Sequence, residues 1–247
     1  MRTITRGGTK TIQGIKLALS NLKNFLYPRY CFQCKCTLKS FEEMLCLCCV
    51  HKLPSKRWTN HLYSDTNTRL WGRVPLNHTY SLFVFKENSL KKLIYQFKYF
   101  NNIPLGLKLS LLLAENIGSH FTTPEASQIF DGIIPMPIHF KKLNKRGFNQ
   151  SLIIAETLSR ELNIPLYNNS IIKTKGKRSQ TALNSWERWQ NRRGDFQLIC
   201  KDLLKNKHLL IVDDILTSGA SIEALYQCLS TVPGVSISVC CLAISES

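Results

Sequence analysis

Apolar residues change their spacing several times along the chain, and each spacing predicts an element. Ile12, Ile15, Leu19, Leu22 and Leu26 recur at helical intervals, with Lys16, Lys23 and Asn24 elsewhere on the wheel. This predicts an amphipathic helix whose modest Lys/Arg density fits packing on its own protein better than a membrane surface. A strand-like run at 81–85 gives way to a helical period at Leu90, Leu93, Ile94 and Phe97. From about residue 103 the two periods alternate. Helices are expected over 105–121 and 150–162, and in "ASIEALYQCLS". Strands are expected over 130–137, near Ile171, in "HLLIVDD" and in "VSISVCCLAIS". Strands alternating with helices predict an α/β fold with a mostly parallel sheet covered on both faces.

Two stretches break the pattern. Residues 55–80 are polar, contain Trp58 and Trp71, and read as a connector. Residues 174–193 are basic without apolar period and too long for an ordinary connection, which is the mark of a lid or a disordered segment. The organisation expected is a basic helix over 1–27, a cysteine module over 28–54, a connector or hood over 55–100 and the α/β domain over 101–247.

The cysteine module reads Cys31-Phe-Gln-Cys34, eleven residues, then Cys46-Leu-Cys-Cys49. Each C-x2-C pair aims two sulfurs at one point, and two pairs make the tetrahedron that a structural Zn²⁺ accepts. Cys36 and Cys48 compete as ligands, but Cys48 would pinch a C-x-C pair, so Cys31, Cys34, Cys46 and Cys49 are preferred. A closed thiolate site gives folding energy to a module with almost no core and no open position for catalysis. Cys200, Cys228, Cys240 and Cys241 sit in apolar surroundings and are expected to pack as small core residues.

"LLIVDDILTSGAS" (209–221) carries the chemistry. Ligands of open parallel sheets bind beyond the carboxyl ends of strands, where Asp213 and Asp214 lie. The turn Thr217, Ser218, Gly219, Ala220, Ser221 offers hydroxyls, backbone N–H groups and a helix dipole to a phosphate, and Gly219 removes a side chain where the anion approaches. The aspartates would repel that anion, so they must face sugar hydroxyls or a metal ion. A sugar with a terminal phosphate, such as ribose 5-phosphate, fits both halves. "LLIVDD" alone also resembles a Walker B strand, but no G-x-x-x-x-G-K-[ST] loop accompanies it.

The chain has 33 Lys+Arg against 16 Asp+Glu, a net charge of +17, which favours a polyanion, a phosphorylated ligand or an anionic membrane surface. No apolar stretch is long enough to span a bilayer, and the basic start lacks the apolar core and cleavage site of a secretory signal, so reduced thiols in a cytoplasmic protein are expected.

"IVDDILTSGAS" resembles the signature of type I phosphoribosyltransferases, which bind phosphoribosyl pyrophosphate (PRPP). "DGIIPMPIHFKKLNKRGFNQS" (131–151), "SQTALNSWERWQNRRGDF" (179–196) and the four-cysteine module ahead of them resemble the ComF family, the competence protein F group. The likeness runs from about Leu26 to the end; Arg192 stands where the family more often has an aliphatic residue. It implies a type I phosphoribosyltransferase-like parallel sheet flanked by helices, with Asp213 and Asp214 on the ribose hydroxyls and residues 217–221 on the 5-phosphate. Lys141, Lys145, Arg146 and Gly147, in a loop after the strand ending at Pro137, would grip pyrophosphate with Mg²⁺. Lys175, Arg178, Gln180, Thr181 and Arg188 would belong to a flexible lid. Trp186 and Trp189, among arginines, suit either packing of that lid or stacking on single-stranded nucleic acid, with packing preferred. The implied role is that of a PRPP-binding protein assisting DNA uptake in natural transformation. It would handle single-stranded DNA on the cytoplasmic side, beside DNA-uptake helicase or channel proteins, with peripheral inner-membrane contact as a weaker option. The alternative is an active transferase moving phosphoribose from PRPP to an unidentified acceptor.

Overall fold

Apolar runs too continuous for a half-exposed strand form the centre of the sheet. A computed structural model of the chain describes residues 27–54, 70, 72–85, 88–120, 129–174 and 195–245. They fall in two units, Met1–Leu53 and Pro54–Ser247. The helix expected near Ile12 to Leu26, the lid residues Lys175, Arg178, Gln180, Thr181 and Arg188, and Trp58, Trp71, Trp186 and Trp189 lie outside the described residues.

The first unit holds the helix α1 (Leu47–His51) and little apolar mass: Leu38, Leu45 and Leu53 are buried beside Cys31, Cys46 and Cys49. Glu42 stands in for a missing cap. One of its carboxylate oxygens accepts from the Leu47 N–H at 2.9 Å and the other from the Lys39 N–H at 2.7 Å. These two bonds, led by that from Leu47, hold its pKa below the usual value.

The second unit runs β1 (Thr79–Val84), α2 (Asn88–Tyr99), α3 (Ile103–His120), β2 (Gly132–Pro135), α4 (Phe140–Arg146), α5 (Gln150–Leu162), β3 (Ile171–Lys173), β4 (Phe196–Leu198), β5 (His208–Leu216), α6 (Ala220–Leu229) and β6 (Ser236–Ile244). Four strands form one parallel sheet in the order β1-β6-β5-β2, with Val212 opposite Cys240 and Ile134 opposite Ile211. Leu209, Ile211, Ile237 and Val239 share a buried cluster with Ile222, Leu225 and Leu229 of α6. Alternation turns Leu210 and Val212 to the other face, where α5 packs on β5 and β2. Cys240 and Cys241 are fully buried as expected, whereas Cys200 and Cys228 are half-buried.

The strand expected at 81–85 is present as β1 and forms an edge of the sheet. Two elements depart from the sequence reading. The strand at Ile171 does not join that sheet but pairs antiparallel with β4, which the sequence did not signal; only Leu166, just before it, bridges to Ile133. Residues 140–146, expected as a loop, form α4, with His139 Nδ1 accepting from the Lys141 N–H and Gly147 closing the helix at φ 80°. Leu143 is its one apolar residue after Phe140, too few for a helical period.

Gly106 in α3 lies against the ring of Phe97, which is fully buried, and a Cβ there would overlap the ring. Gly106→Ala would gain about 1 kcal/mol of helix propensity. It would lose more to the overlap, for a net destabilisation of about 1–3 kcal/mol. A lowered urea midpoint is the expected result, and a raised one would show that α2 and α3 can part.

Candidate phosphosugar site and cysteine centre

β5 delivers two adjacent carboxylates to its carboxyl end, and strand alternation sends them apart. Asp213 continues the face of Leu209 and Ile211. It lines a cavity of about 250 Å³ together with Thr217, Ser218, Gly219, Ala220 and Ser221. Lys173 and Asp195, from the β3–β4 pair, line it as well. The first N–H groups of α6 lack intrahelical acceptors, so with the helix dipole they present positive charge at this end.

Asp214 takes the other direction. Its carboxylate meets Lys98 Nζ of α2 at 2.8 Å, and both side chains are largely buried. Among the described residues no cation pairs with Asp213 in this way. Loss of water around its carboxyl, then the neighbouring Asp214 charge, lift its pKa from 3.8 to about 7, although Asp214 N–H, Lys98 and Ser151 pull it down. One oxygen of Asp213 accepts from Ser151 Oγ at 3.1 Å and from the Asp214 N–H at 2.8 Å. A carboxyl titrating near neutrality can accept from a sugar hydroxyl or donate to it.

The turn itself is clamped from outside. Gly219 sits at φ 74°, and a Cβ there would overlap Leu70 Cδ2 and lie 3.3 Å from the Arg73 guanidinium. Arg73 donates to the Ser218 carbonyl at 2.8 Å and pairs with Glu223 at 3.1 Å. Gly219 thus has a packing reason beyond close approach of an anion.

The residues assigned to pyrophosphate are brought together on α4 and its end, but they do not line this cavity. Lys141 and Lys145 are exposed; Arg146 is half-buried, donates to Gln150 Oε1 at 3.1 Å and lies 5.3 Å over the Tyr99 ring. Gln150 donates to the Lys98 carbonyl at 3.3 Å. Lys98, Ser151 and Arg73 were missed in the sequence. Lys98 had a signal: it falls four residues after Ile94, on the buried edge of α2, where an unpaired charge would be costly. Ser151 and Arg73 had none.

In the first unit the sulfurs of Cys31, Cys34, Cys46 and Cys49 all lie within 4.8 Å of one another, close enough to hold a metal ion, and among the described residues no other such group occurs. Cys34 and Cys46 sulfurs are 3.6 Å apart, and the Cys46 N–H points at Cys31 Sγ at 3.4 Å. The Cys36 backbone N–H, aided by its thiol, lowers the Cys34 pKa to about 6, which favours the ligating thiolate. Cys36 Sγ lies 3.2 Å from Cys34 Sγ, but Cys36 and Cys48 are outside the group of four.

No protein-family model matches the chain. It is 25% identical over 221 residues to Competence protein F of Haemophilus influenzae, covering 84% of this chain and 93% of that protein. It is 30% identical over 154 residues to DNA utilization protein YhgH of Shigella flexneri; the match spans 62% of this chain and 66% of that relative, just under two thirds of its length. Among solved structures, a purine phosphoribosyltransferase from Pyrococcus horikoshii aligns at TM-score 0.33 and 24% identity, over 56% of this chain and 71% of that one. No described helix is long and apolar enough to cross a membrane.

A carboxyl whose folded pKa is raised favours folding least when ionised. Asp213 therefore costs stability progressively as pH rises from about 4 to about 7. Asp213→Asn keeps the acceptor for Ser151 and Asp214, so above pH 7 its melting temperature should exceed that of the parent. The gap should close as pH falls toward about 4; a gap independent of pH would mean that Asp213 does not titrate in this window. Separately, Cys31→Ser should strip metal from the purified protein, read as metal content per chain, and an unchanged content would remove Cys31 from the ligand set.

Proposed function

The chain belongs to the competence protein F family, and on that footing we propose that it binds PRPP and handles single-stranded DNA during DNA uptake. The observation that carries the PRPP half is the cavity. It places one carboxylate, Asp213, opposite an anion-binding turn at a helix N-terminus, the pairing that a phosphorylated sugar requires. The 5-phosphate sits on the turn at 217–221. The ribose hydroxyls face Asp213, and Asp214 acts indirectly, through Lys98, by keeping β5 and α2 together. Mg²⁺ accompanies the pyrophosphate. Arg146, Lys141 and Lys145 supply positive charge toward it from the α4–α5 corner, which Ser151 ties to Asp213.

The four cysteines hold zinc in this reading. Four soft sulfurs suit a closed tetrahedral site, and the scarcity of apolar residues in the described part of the first unit supports a folding role. The DNA half is supported by the names of the relatives, one for competence and one for DNA utilization, and by the net charge of +17. It acts on the cytoplasmic side of the membrane, beside the uptake machinery.

Calorimetric titration of PRPP with Mg²⁺ into the metal-loaded protein tests the reading. Micromolar binding is expected, weakened at least about tenfold (~1.4 kcal/mol) in Asp213→Asn. Full affinity in that variant would remove the cavity from the account. Pyrophosphate release after candidate acceptors are added to the same samples separates a transferase from a PRPP-sensing protein.

A further inference from the structure

Three aromatic rings stand together in water at the end of α2. Tyr95, Tyr99 and Phe100 are 53%, 56% and 61% exposed. The Tyr95 and Tyr99 centroids are 4.7 Å apart and those of Tyr95 and Phe100 5.7 Å, tilted at 42° and 56°. Arg146 lies over Tyr99, which draws the end of α4 alongside. Isolated exposed apolar residues are ordinary, but contiguous rings mark a surface that meets something.

The charged residues of α2 and α4 have one sign. Lys91, Tyr95 and Tyr99 recur every four residues and share one stripe of α2, with Lys92 beside it. Lys141 and Lys145 are exposed on α4. No Asp or Glu occurs in residues 88–114 or 132–155. Such a surface fits a partner that offers flat apolar faces and regular negative charge at once. A folded acidic protein offers the charge without repeated flat faces, and a duplex hides its faces in the stack. A single strand of nucleic acid offers both.

The geometry points to this α2–α4 ridge as the seat of a single strand, with bases stacking on Tyr95, Tyr99 and Phe100 and phosphates passing Lys91 and Lys92. The inference rests on the DNA-handling reading above and gives it a surface separate from the PRPP cavity. The two adjoin: Lys98, one residue before Tyr99, holds Asp214, and Arg146 holds Gln150 next to the Ser151 that holds Asp213.

Fluorescence anisotropy of a labelled oligothymidylate on the full chain tests it, against an abasic strand of equal length. Tyr95→Ala and Tyr99→Ala should each weaken the base-bearing strand about fivefold or more, while Tyr99→Phe keeps its affinity. The abasic strand should bind the parent less tightly and ignore both alanine changes. Lys91→Ala with Lys92→Ala should flatten the slope of log affinity against log salt by roughly 0.7 for each phosphate that the lysines neutralise in the parent. Parent-like affinity in the ring variants, equal affinity for the abasic strand, or no strand binding at all would each overturn the ridge. PRPP titration of the same preparations keeps the two readings apart. Weakened strand binding in the ring variants with PRPP binding retained supports the ridge. Strand binding by a parent that takes no PRPP removes the cavity reading and leaves the ridge standing.

Discussion

The ion pair between Lys98 and Asp214 decides what the carboxyl end of β5 can do. Two neighbouring carboxylates at the mouth of a buried strand repel each other and lose hydration together. A lysine at 2.8 Å compensates one of them in the interior. The other is then left to the cavity, half-buried and titrating near neutral pH. Lys98 holds its place because α2 is anchored beside it: Phe97 is buried against Gly106 of α3 and its ring lies 5.7 Å from that of Phe148. Removing one partner of such a pair costs about 3–5 kcal/mol, because the survivor stays buried without compensation. Helix packing thus sets the electrostatics of the strand end.

The turn at 217–221 depends on packing in the same way. Leu70 fills the space that a side chain at 219 would need, and Arg73 ties the Ser218 carbonyl to Glu223 of α6. The turn is held from its outer side without any ligand, so less ordering would remain for one to induce. Positive charge stands farther out, on the α4–α5 corner, linked to Asp213 through one serine hydroxyl. The cavity thus has a floor fixed by packing, while the basic residues of α4 stand outside its lining.

The alternating elements from residue 103 were legible because buried parallel strands and amphipathic helices carry unlike periods over many residues. The four-cysteine cluster was legible because its spacing leaves little geometric choice. What stayed hidden was short or distant. α4 has seven residues, four of them basic, so no apolar stripe forms. β3 and β4 have three residues each and pair across a long basic stretch. Strand parity, applied to Asp213 and Asp214, would have shown that they face opposite ways. That Lys98 would meet one of them could not be read without knowing that α2 covers that face. Arg73 acts on the turn from 145 positions away, an interaction that only the folded chain creates.

Strand order also constrains how the molecule comes to exist. Among the described residues β1 is the first strand of the sheet in sequence and pairs with β6, the last, so that Thr79 lies opposite Val239. On the ribosome, the apolar face of β1 must wait for nearly the whole chain to emerge before its partner arrives. Nucleation from such distant pairings is slow, and the waiting strand is exposed to misassociation. The turn at 217–221, which needs Leu70 and Arg73 from the early part and β5 from the late part, is among the last features to take shape. A chain cut before β5 keeps all four cysteines but lacks the strand end and the turn that form the cavity.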